Sequence, residues 1–159
     1  MKYWDIFESE LGPIRILCDE VSVLGVDFKG EGLEGAKQKA TELTNMTALQ
    51  LNEYLSGKRK EFLLPLRAEG TEFQKKVWEA LQTIPYGQTR SYKEIAVQIG
   101  KPKACRAVGM ANNRNPISIL IPCHRVIGVD KRLVGYGGGL DKKVKLLTLE
   151  CPEGTWRNY

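Results

Sequence analysis

The sequence is poor in histidine and has no closely spaced pair of cysteines. It contains one histidine, and its four cysteines stand at positions 18, 105, 123 and 151, with no CxxC pair. Structural zinc sites are built from clustered cysteine and histidine, usually in closely spaced pairs. We therefore expect no metal site, and we also expect no cofactor. One thiol with one neighbouring base would still be enough for cysteine chemistry.

Long apolar runs are also missing. The longest stretches, such as Ile119-Leu120-Ile121, are far too short to span a bilayer. The first residues, Met1 to Asp5, do not form the basic and then apolar region of a secretory signal. A composition of 42% hydrophobic and 27% charged residues is typical of a folded globular chain. We expect a cytoplasmic protein with reduced thiols and no membrane partner.

Charge of one sign is unevenly distributed along the chain. Residues 1–65 carry 8 basic and 11 acidic side chains, whereas residues 66–159 carry 16 and 8. A basic half is typical of a protein that binds a polyanion, most simply nucleic acid. A solvated basic surface is the alternative, and charge alone does not choose between them. The change of sign near Pro65 predicts two domains, 1–66 and 67–159.

The first domain has the pattern of a small sheet with a helix. Aromatic and β-branched residues predict a strand at 2–8, and apolar residues alternate along 13–18 and 21–28. Residues 33–56 have a helical pattern, and Gly57 follows as a helix stop. A hairpin or meander followed by a helix is therefore predicted.

The second domain has sharper local signals. Thr71 with Gln74, and Ser91 with Glu94, each have the spacing of a capping box, in which two side chains satisfy backbone N–H groups at a helix start. The later elements are a helix over 102–112, a strand-like run over 117–121 and a helix over about 140–149. Two short helices around a glycine-containing turn predict a helix-turn-helix.

The helix predicted over 102–112 is built mostly from small residues, with Arg106 among them. Small side chains allow the backbone to approach a partner closely, as in a DNA groove. They are equally suited to a tightly packed core, and the pattern by itself leaves both readings open.

Cys123 is followed directly by His124 and Arg125. A neighbouring imidazole or cation lowers the pKa of a thiol and favours the nucleophilic thiolate. Adjacent residues of a strand point to opposite faces, so contact requires a turn here, for which Pro122 is suited. The alternative is that Cys123 is a small buried hydrophobe. Three acids are candidates for orienting the imidazole: Asp130, Asp141 and Glu150.

The segment Ile121-Pro122-Cys123-His124-Arg125-Val126 resembles the active-site signature of the O6-alkylguanine-DNA alkyltransferases. Further matches occur in the order and spacing of that family. They are Phe73-Gln74-Lys75-Lys76-Val77-Trp78, Ile84-Pro85-Tyr86-Gly87, Ser91-Tyr92, Ala107-Val108-Gly109, Asn115-Pro116, Gly135-Tyr136, and Leu146-Leu147 before Glu150. The resemblance is close over residues 70–150 and loose before them.

The resemblance implies an α+β fold, with an N-terminal ribonuclease-H-like domain of a small β-sheet and helix. The C-terminal domain would be a mainly helical winged helix-turn-helix. The implied activity is stoichiometric DNA repair, in which a monomer flips O6-alkylguanine out of double-stranded DNA and keeps the alkyl group. Activity on O4-alkylthymine and the range of alkyl groups stay open.

The resemblance also implies roles for five catalytic residues. Cys123 would accept the alkyl group, with His124 as a base acting through a water and Glu150 orienting the imidazole. Tyr92 would help to rotate the 3′ phosphate and would donate to the base as its leaving-group charge develops. Asn115 would brace the turn between the DNA-binding helix and the active-site loop.

Further residues are implied for DNA and base binding. Arg106 would enter the base stack in place of the flipped nucleotide, and Tyr92 would contact the phosphate. Ala107 and Gly109 would let the helix enter the minor groove, and Arg125 is also assigned to DNA binding.

The base pocket would be lined by Val126, Tyr136, Gly137 and Gly138, with backbone amides and the carbonyls near Cys123 and Val126 reading the guanine edge. Position 137 is glycine where some relatives have serine, so a side-chain hydrogen bond is lost there. Zinc, which some relatives bind in the N-terminal domain, is not expected.

Two other functions are compatible with parts of the sequence. A lesion binder would flip and mark the base without reacting, but such relatives commonly replace the cysteine by tryptophan. A transcription factor would need long polar side chains at the start of its recognition helix. Half of residues 102–111 are Ala, Gly or Val, where such long side chains would be needed, which argues against sequence-specific readout.

Overall fold

The computed structural model describes residues 1–30, 32–128, 136 and 138–154. The chain forms two compact units. The first unit comprises Met1–Glu69 and Pro116–Leu120, and the second comprises Gly70–Asn115 and Ile121–Tyr159. One unit is built on a sheet and the other mainly on helices, which confirms the predicted α+β class. Within the described residues, no helix is both long and apolar enough to cross a membrane.

The first unit is organised by a four-stranded sheet of order β3-β2-β1-β4. Its strands are β1 (Tyr3–Ser9), β2 (Gly12–Cys18), β3 (Val23–Asp27) and β4 (Lys37–Gln38). The first three form an antiparallel meander, as predicted, and β4 pairs with β1 in parallel. Alternation along β2 buries the predicted face, which consists of Ile14, Ile16 and Cys18.

Helix α1 (Glu42–Leu55) is shorter than predicted. Thr41 caps it through a capping box with Thr44, so the helix starts there and not at residue 33. The preceding Gly35 has φ +81°, a left-handed conformation that a continuous helix does not allow. Residues 37–38 are then free to pair with β1. The prediction was therefore wrong for 33–41, because strand pairing with a distant segment replaced a local helical pattern.

The five residues from Pro116 to Leu120 belong to the first unit. The backbone N–H of Val26 donates to Pro116 O at 2.9 Å, and Ser118 N–H donates to Val26 O at 2.9 Å. Ile117 forms a bridge to Val26, and Ile119 has a left-handed φ of +73°. The strand predicted over 117–121 is thus reduced to isolated bridged positions at 117, 118 and 121, because Ile119 turns the backbone away from the extended conformation.

Among its described residues the second unit contains four α-helices, and two of them begin with the capping boxes that were predicted. Their order along the chain is α2 (Glu72–Leu81), α3 (Tyr92–Gln98), α4 (Cys105–Asn113) and α5 (Leu140–Glu150). Short strands β5 (Arg90–Ser91) and β6 (Val126–Ile127) pair in parallel. Apolar stripes bury the inner faces of these helices, so propensity, capping and periodicity agree here.

Helices α3 and α4 form the predicted helix-turn-helix, with a left-handed Gly100 (φ +78°) between them. Helix α4 begins at Cys105, not at residue 102, because residues 101–104 make a turn in which Ala104 N–H bonds Lys101 O at 2.9 Å. The indole N–H of Trp78 on α2 donates to Ala111 O at 2.9 Å and holds α4 in place. The outer face of α4 is thereby left to solvent.

Candidate active site

Cys123, His124 and Arg125 form a single 3₁₀ turn that directly follows Pro122. The turn is closed by Arg125 N–H donating to Pro122 O at 3.0 Å. All three side chains are buried, and Cys123 is 3% exposed. The chain therefore makes the turn that contact between adjacent Cys and His side chains requires.

Two asparagine amides hold this turn to the C-terminal end of α4. Asn115 Nδ2 donates to Ile121 O at 2.8 Å, and Asn112 Nδ2 donates to Cys123 O at 3.3 Å. Asn115 was expected in this bracing position, whereas Asn112 was missed by the sequence reasoning. A signal was present, because Asn112 follows Val108 by four residues and so shares the buried face of the helix, whereas Asn113 does not.

Glu150 is the acid that meets the imidazole. His124 Nε2 and Glu150 Oε2 are 2.8 Å apart, and both side chains are buried. Of the other two candidates, Asp141 is exposed and Asp130 lies outside the described residues. The last turn of α5 thus places its carboxylate against the 3₁₀ turn.

The hydrogen-bond pattern fixes the protonation states of this pair. Burial alone would raise the pKa of Glu150, but hydrogen bonds and charges from His124 and Arg125 outweigh it and hold that pKa well below its ordinary value. Burial lowers the pKa of His124 despite the opposing effect of Glu150. The ring is then neutral, with its proton on Nε2 facing the carboxylate. His124 Nδ1 keeps a basic lone pair, and this buried atom has no hydrogen-bond partner among the described residues.

Arg125 points into the protein, which corrects its assignment to DNA binding. Its Nε and one terminal nitrogen donate to the two Glu150 oxygens at 2.8 and 2.9 Å, and the other terminal nitrogen donates to Ile84 O at 2.7 Å. The guanidinium also lies over the Tyr86 ring at 5.8 Å. A bidentate ion pair to a buried carboxylate satisfies the cation internally, so Arg125 secures Glu150 and does not reach a phosphate.

Lys143 is a functional candidate that the sequence reasoning missed. The side chain is fully buried, and its Nζ donates to Val126 O at 2.7 Å. Burial lowers the pKa of Lys143 to about 8, and the nearby Cys123 partly offsets this. A usable signal was present, because Lys143 occupies the apolar stripe of α5 together with Leu140, Val144 and Leu147. A lysine in such a stripe needs a buried acceptor or anion.

The environment of the Cys123 thiol acts in two opposing directions. Burial raises its pKa, while a hydrogen bond from Asn115 and the charge of Lys143 lower it. Because its pKa is raised, Cys123 rests as a neutral thiol, so the reaction requires a base. The donor and the cation stabilise the thiolate once the proton has left.

Tyr92 is the first residue of α3 and lies close enough to Cys123 for the two groups to interact electrostatically. Burial, followed by that charge, raises the pKa of Tyr92 to about 12. The phenol therefore keeps its proton at neutral pH and is available as a hydrogen-bond donor. A Cβ added at Gly109 would lie 3.8 Å from the Tyr92 ring, which places α4 directly against this side chain.

The remaining residues predicted for DNA binding and the base pocket, except one, belong to the described part of the chain. Arg106 and Ala107 are exposed on α4, and Gly109 is half-buried. Val126 and Tyr136 are buried and Gly138 is half-buried, while Gly137 lies outside the described residues. Among the residues described, no cluster of three His, Cys, Asp or Glu side chains could hold a metal ion.

Both parts of the chain match known proteins of one family. Residues 72–152 match the family model for the 6-O-methylguanine DNA methyltransferase DNA binding domain, and residues 2–68 match that family's ribonuclease-like domain. A Methylated-DNA--protein-cysteine methyltransferase of Methanosarcina barkeri is 53% identical over 156 residues, covering 93% of this chain and 96% of that protein. Its counterpart in Methanosarcina acetivorans is 50% identical over 156 residues, covering 93% and 97%.

Solved structures give the same result. The Mycobacterium tuberculosis O6-methylguanine methyltransferase superimposes with a TM-score of 0.87 at 41% identity, covering 98% of this chain and 96% of that one. The M. tuberculosis OGT in complex with DNA has a TM-score of 0.87 at 43% identity, covering 93% and 92%. Both domains, in order and over nearly the full length, match one family. The chain therefore belongs to the 6-O-methylguanine DNA methyltransferase family, the O6-alkylguanine-DNA alkyltransferases.

Proposed function

We propose that this protein repairs O6-alkylguanine in double-stranded DNA by moving the alkyl group onto Cys123. The observation that carries the proposal is the buried Cys123–His124 turn, with His124 hydrogen-bonded to Glu150 at 2.8 Å. In the transfer, an S–C bond forms at Cys123 as the bond between the alkyl carbon and guanine O6 breaks. The thioether is stable, so each molecule reacts once.

Each proton in this step has a residue to carry it. His124 Nδ1, acting through a water, accepts the thiol proton, and Glu150 stabilises the imidazolium that forms. Lys143 contributes a positive charge near the thiolate. The departing guanine gathers negative charge, and the Tyr92 hydroxyl is the donor proposed to meet it. A carboxylate, an imidazole and a phenol thus provide acid–base chemistry without a metal or cofactor being invoked.

Duplex DNA is the proposed partner of the helix-turn-helix. Helix α4 offers an exposed, small-residue surface with Arg106 and Ala107, which is suited to close approach in the minor groove. We propose that Arg106 fills the stack after the base flips, and that Val126, Tyr136, Gly137 and Gly138 line the pocket. We assign DNA binding and chemistry to 67–159, and we propose that the protein acts as a monomer in the cytoplasm. We also propose activity on O4-alkylthymine at the same site.

Intact-mass measurement tests the reaction directly. After incubation with a duplex containing O6-methylguanine, the protein should gain one methyl group, and peptide mapping should place it on Cys123. Cys123→Ala should gain none, whereas Cys105→Ala, which removes a partly exposed thiol of α4, should react normally. Tight binding of the modified duplex without any mass gain would instead establish a lesion-binding function.

Replacing Arg106 by alanine should affect duplex repair selectively. We expect single-turnover repair of duplex O6-methylguanine to slow by about 10–100-fold. Flipping a base costs a few kcal/mol of unstacking, and the variant lacks the side chain that would fill the vacated stack and offset this cost. Reaction with free O6-benzylguanine should stay unchanged. Arg114→Ala, an exposed arginine at the end of the same helix, provides the charge-matched control. An equal loss on both substrates would rule out the stacking role.

A further inference from the structure

Asn112 has a buried amide with only one half hydrogen-bonded. The residue is 1% exposed on the inner face of α4. Its Nδ2 donates to the carbonyl of Cys123 at 3.3 Å. Its Oδ1 is also buried, and it has no hydrogen-bond partner in the described part of the chain. The amide orientation is defined by the carbonyl, since only the NH₂ group can donate to it.

This contact complements the one made by Asn115. Asn115 holds the Ile121 carbonyl and Asn112 holds the Cys123 carbonyl, so the backbone is tied to the end of α4 on both sides of Pro122. A cysteine has a single side-chain torsion before its sulfur, and the direction of the S–C bond to be formed therefore depends on the backbone at that residue. Together with the backbone hydrogen bonds of the turn, the two side-chain contacts restrain this backbone more than either contact would alone.

The unsatisfied oxygen makes this arrangement costly for stability alone. A buried acceptor without a partner costs about 1–3 kcal/mol, whereas an apolar side chain of the same shape would avoid that cost. Places where a sequence breaks such a local rule are typically functional sites. Here the unsatisfied amide belongs to a residue that is hydrogen-bonded directly to the backbone of the nucleophile.

We propose that Asn112 is a positioning residue for alkyl transfer, fixing the Cys123 peptide to α4 so that the thiol is aligned with the alkyl carbon. The proposal rests on the alkyl-transfer function above. It also links the nucleophile to α4, the helix proposed to bind DNA, through a buried side chain.

Asn112→Leu is the decisive variant, because leucine is similar in size and removes both the donor and the unsatisfied acceptor. We expect alkyl transfer from duplex O6-methylguanine and from free O6-benzylguanine to slow by the same factor, about 10–100-fold, as expected for a misaligned nucleophile. The melting temperature should stay the same or rise. Carboxamidomethylation of Cys123 by iodoacetamide, followed by peptide mass, should be unchanged, since a small reagent needs no alignment. Asn113→Leu, the exposed neighbour, should leave reaction with the free base unaffected.

A second variant tests the donor itself. Asn112→Asp keeps the shape but donates only when its carboxyl is protonated, so its alkyl-transfer rate relative to the wild type should rise as pH falls. A constant ratio across pH, or a wild-type rate for Asn112→Leu, would overturn the positioning role. So would a parallel loss of iodoacetamide reactivity, because the effect would then be on the thiol and not on its alignment. A wild-type protein that gains no alkyl group would instead refute the proposed function.

Discussion

Replacing Glu150 by glutamine should both destabilise the second unit and slow alkyl transfer severely. Arg125 would keep its buried charge without an anion, and removing one partner of a buried ion pair typically costs about 3–5 kcal/mol. His124 would lose the carboxylate that stabilises its imidazolium, so we expect single-turnover transfer to fall by about 10²–10⁴-fold. Urea unfolding and intact-mass kinetics with O6-methylguanine duplex would measure the two effects.

Glu150→Gln should also change how the free energy of unfolding depends on pH in the acid range. Because the folded pKa of Glu150 is depressed, its stabilising contribution is fully present above the unfolded carboxyl value of about 4.3 and is lost as pH falls below it. The wild type should therefore lose more stability than Glu150→Gln between about pH 5 and pH 3. Identical acid limbs would contradict the ion-pair assignment.

Glu153→Gln is the matched control for these measurements. Glu153 is an exposed acid just beyond α5, so removing its charge should change stability by no more than about 0.5 kcal/mol. Its alkyl-transfer rate should equal that of the wild type. A loss similar to that of Glu150→Gln would mean that overall charge, and not the His124–Glu150–Arg125 cluster, controls the rate.

Replacing Lys143 by methionine should move the pH dependence of the reaction to higher pH. Lys143 lowers the pKa of Cys123 through its charge, so its removal raises that pKa further. Each added unit reduces the thiolate fraction at neutral pH about tenfold, and we expect a loss of at least about tenfold there, with recovery at high pH. The pH profile of the reaction with free O6-benzylguanine measures the shift without interference from DNA binding.

Methionine keeps most of the volume of the lysine and removes a buried ammonium, which offsets the loss of the donor to Val126 O, so the variant should still fold. Lys145→Met, an exposed lysine on the same helix, should leave the profile in place. If Lys143→Met lowered the rate by one factor at every pH, the lysine would act by packing and by its bond to Val126 O. The electrostatic role would then be wrong.

Local sequence signals were sufficient to predict most helix boundaries and buried faces of the second unit. The capping boxes at Thr71 and Ser91 and the apolar stripe of α5 are short-range patterns, and each corresponds to an observed helix boundary or face. They succeeded because the interactions that define a helix start lie within one turn of the chain. The turn at Pro122 could be predicted for the same reason, because proline acts on the backbone of its immediate neighbours.

The helix predicted over 33–56 was misplaced at 33–41 because of pairing between segments far apart in the chain. Residues 33–41 have a helical composition, but β4 gains hydrogen bonds from β1, and no local pattern encodes that partner. The strand expected over 117–121 is interrupted at Ile119, where the backbone turns into the left-handed region. Local propensity is a weak predictor wherever tertiary hydrogen bonds compete with it.

By itself, the sequence determined the helix-turn-helix and the adjacency of one thiol and one imidazole, and its resemblance to one family indicated the fold class. It left three acids available for the imidazole, assigned Arg125 to DNA and gave no role to Lys143 or Asn112. Only the tertiary structure selected Glu150, turned Arg125 inward onto it and placed the two buried amides and the lysine around Cys123. The physical reason is burial: the charge and hydrogen-bonding requirements of these side chains arise only when packing removes them from water, and packing is set by residues distant in the chain.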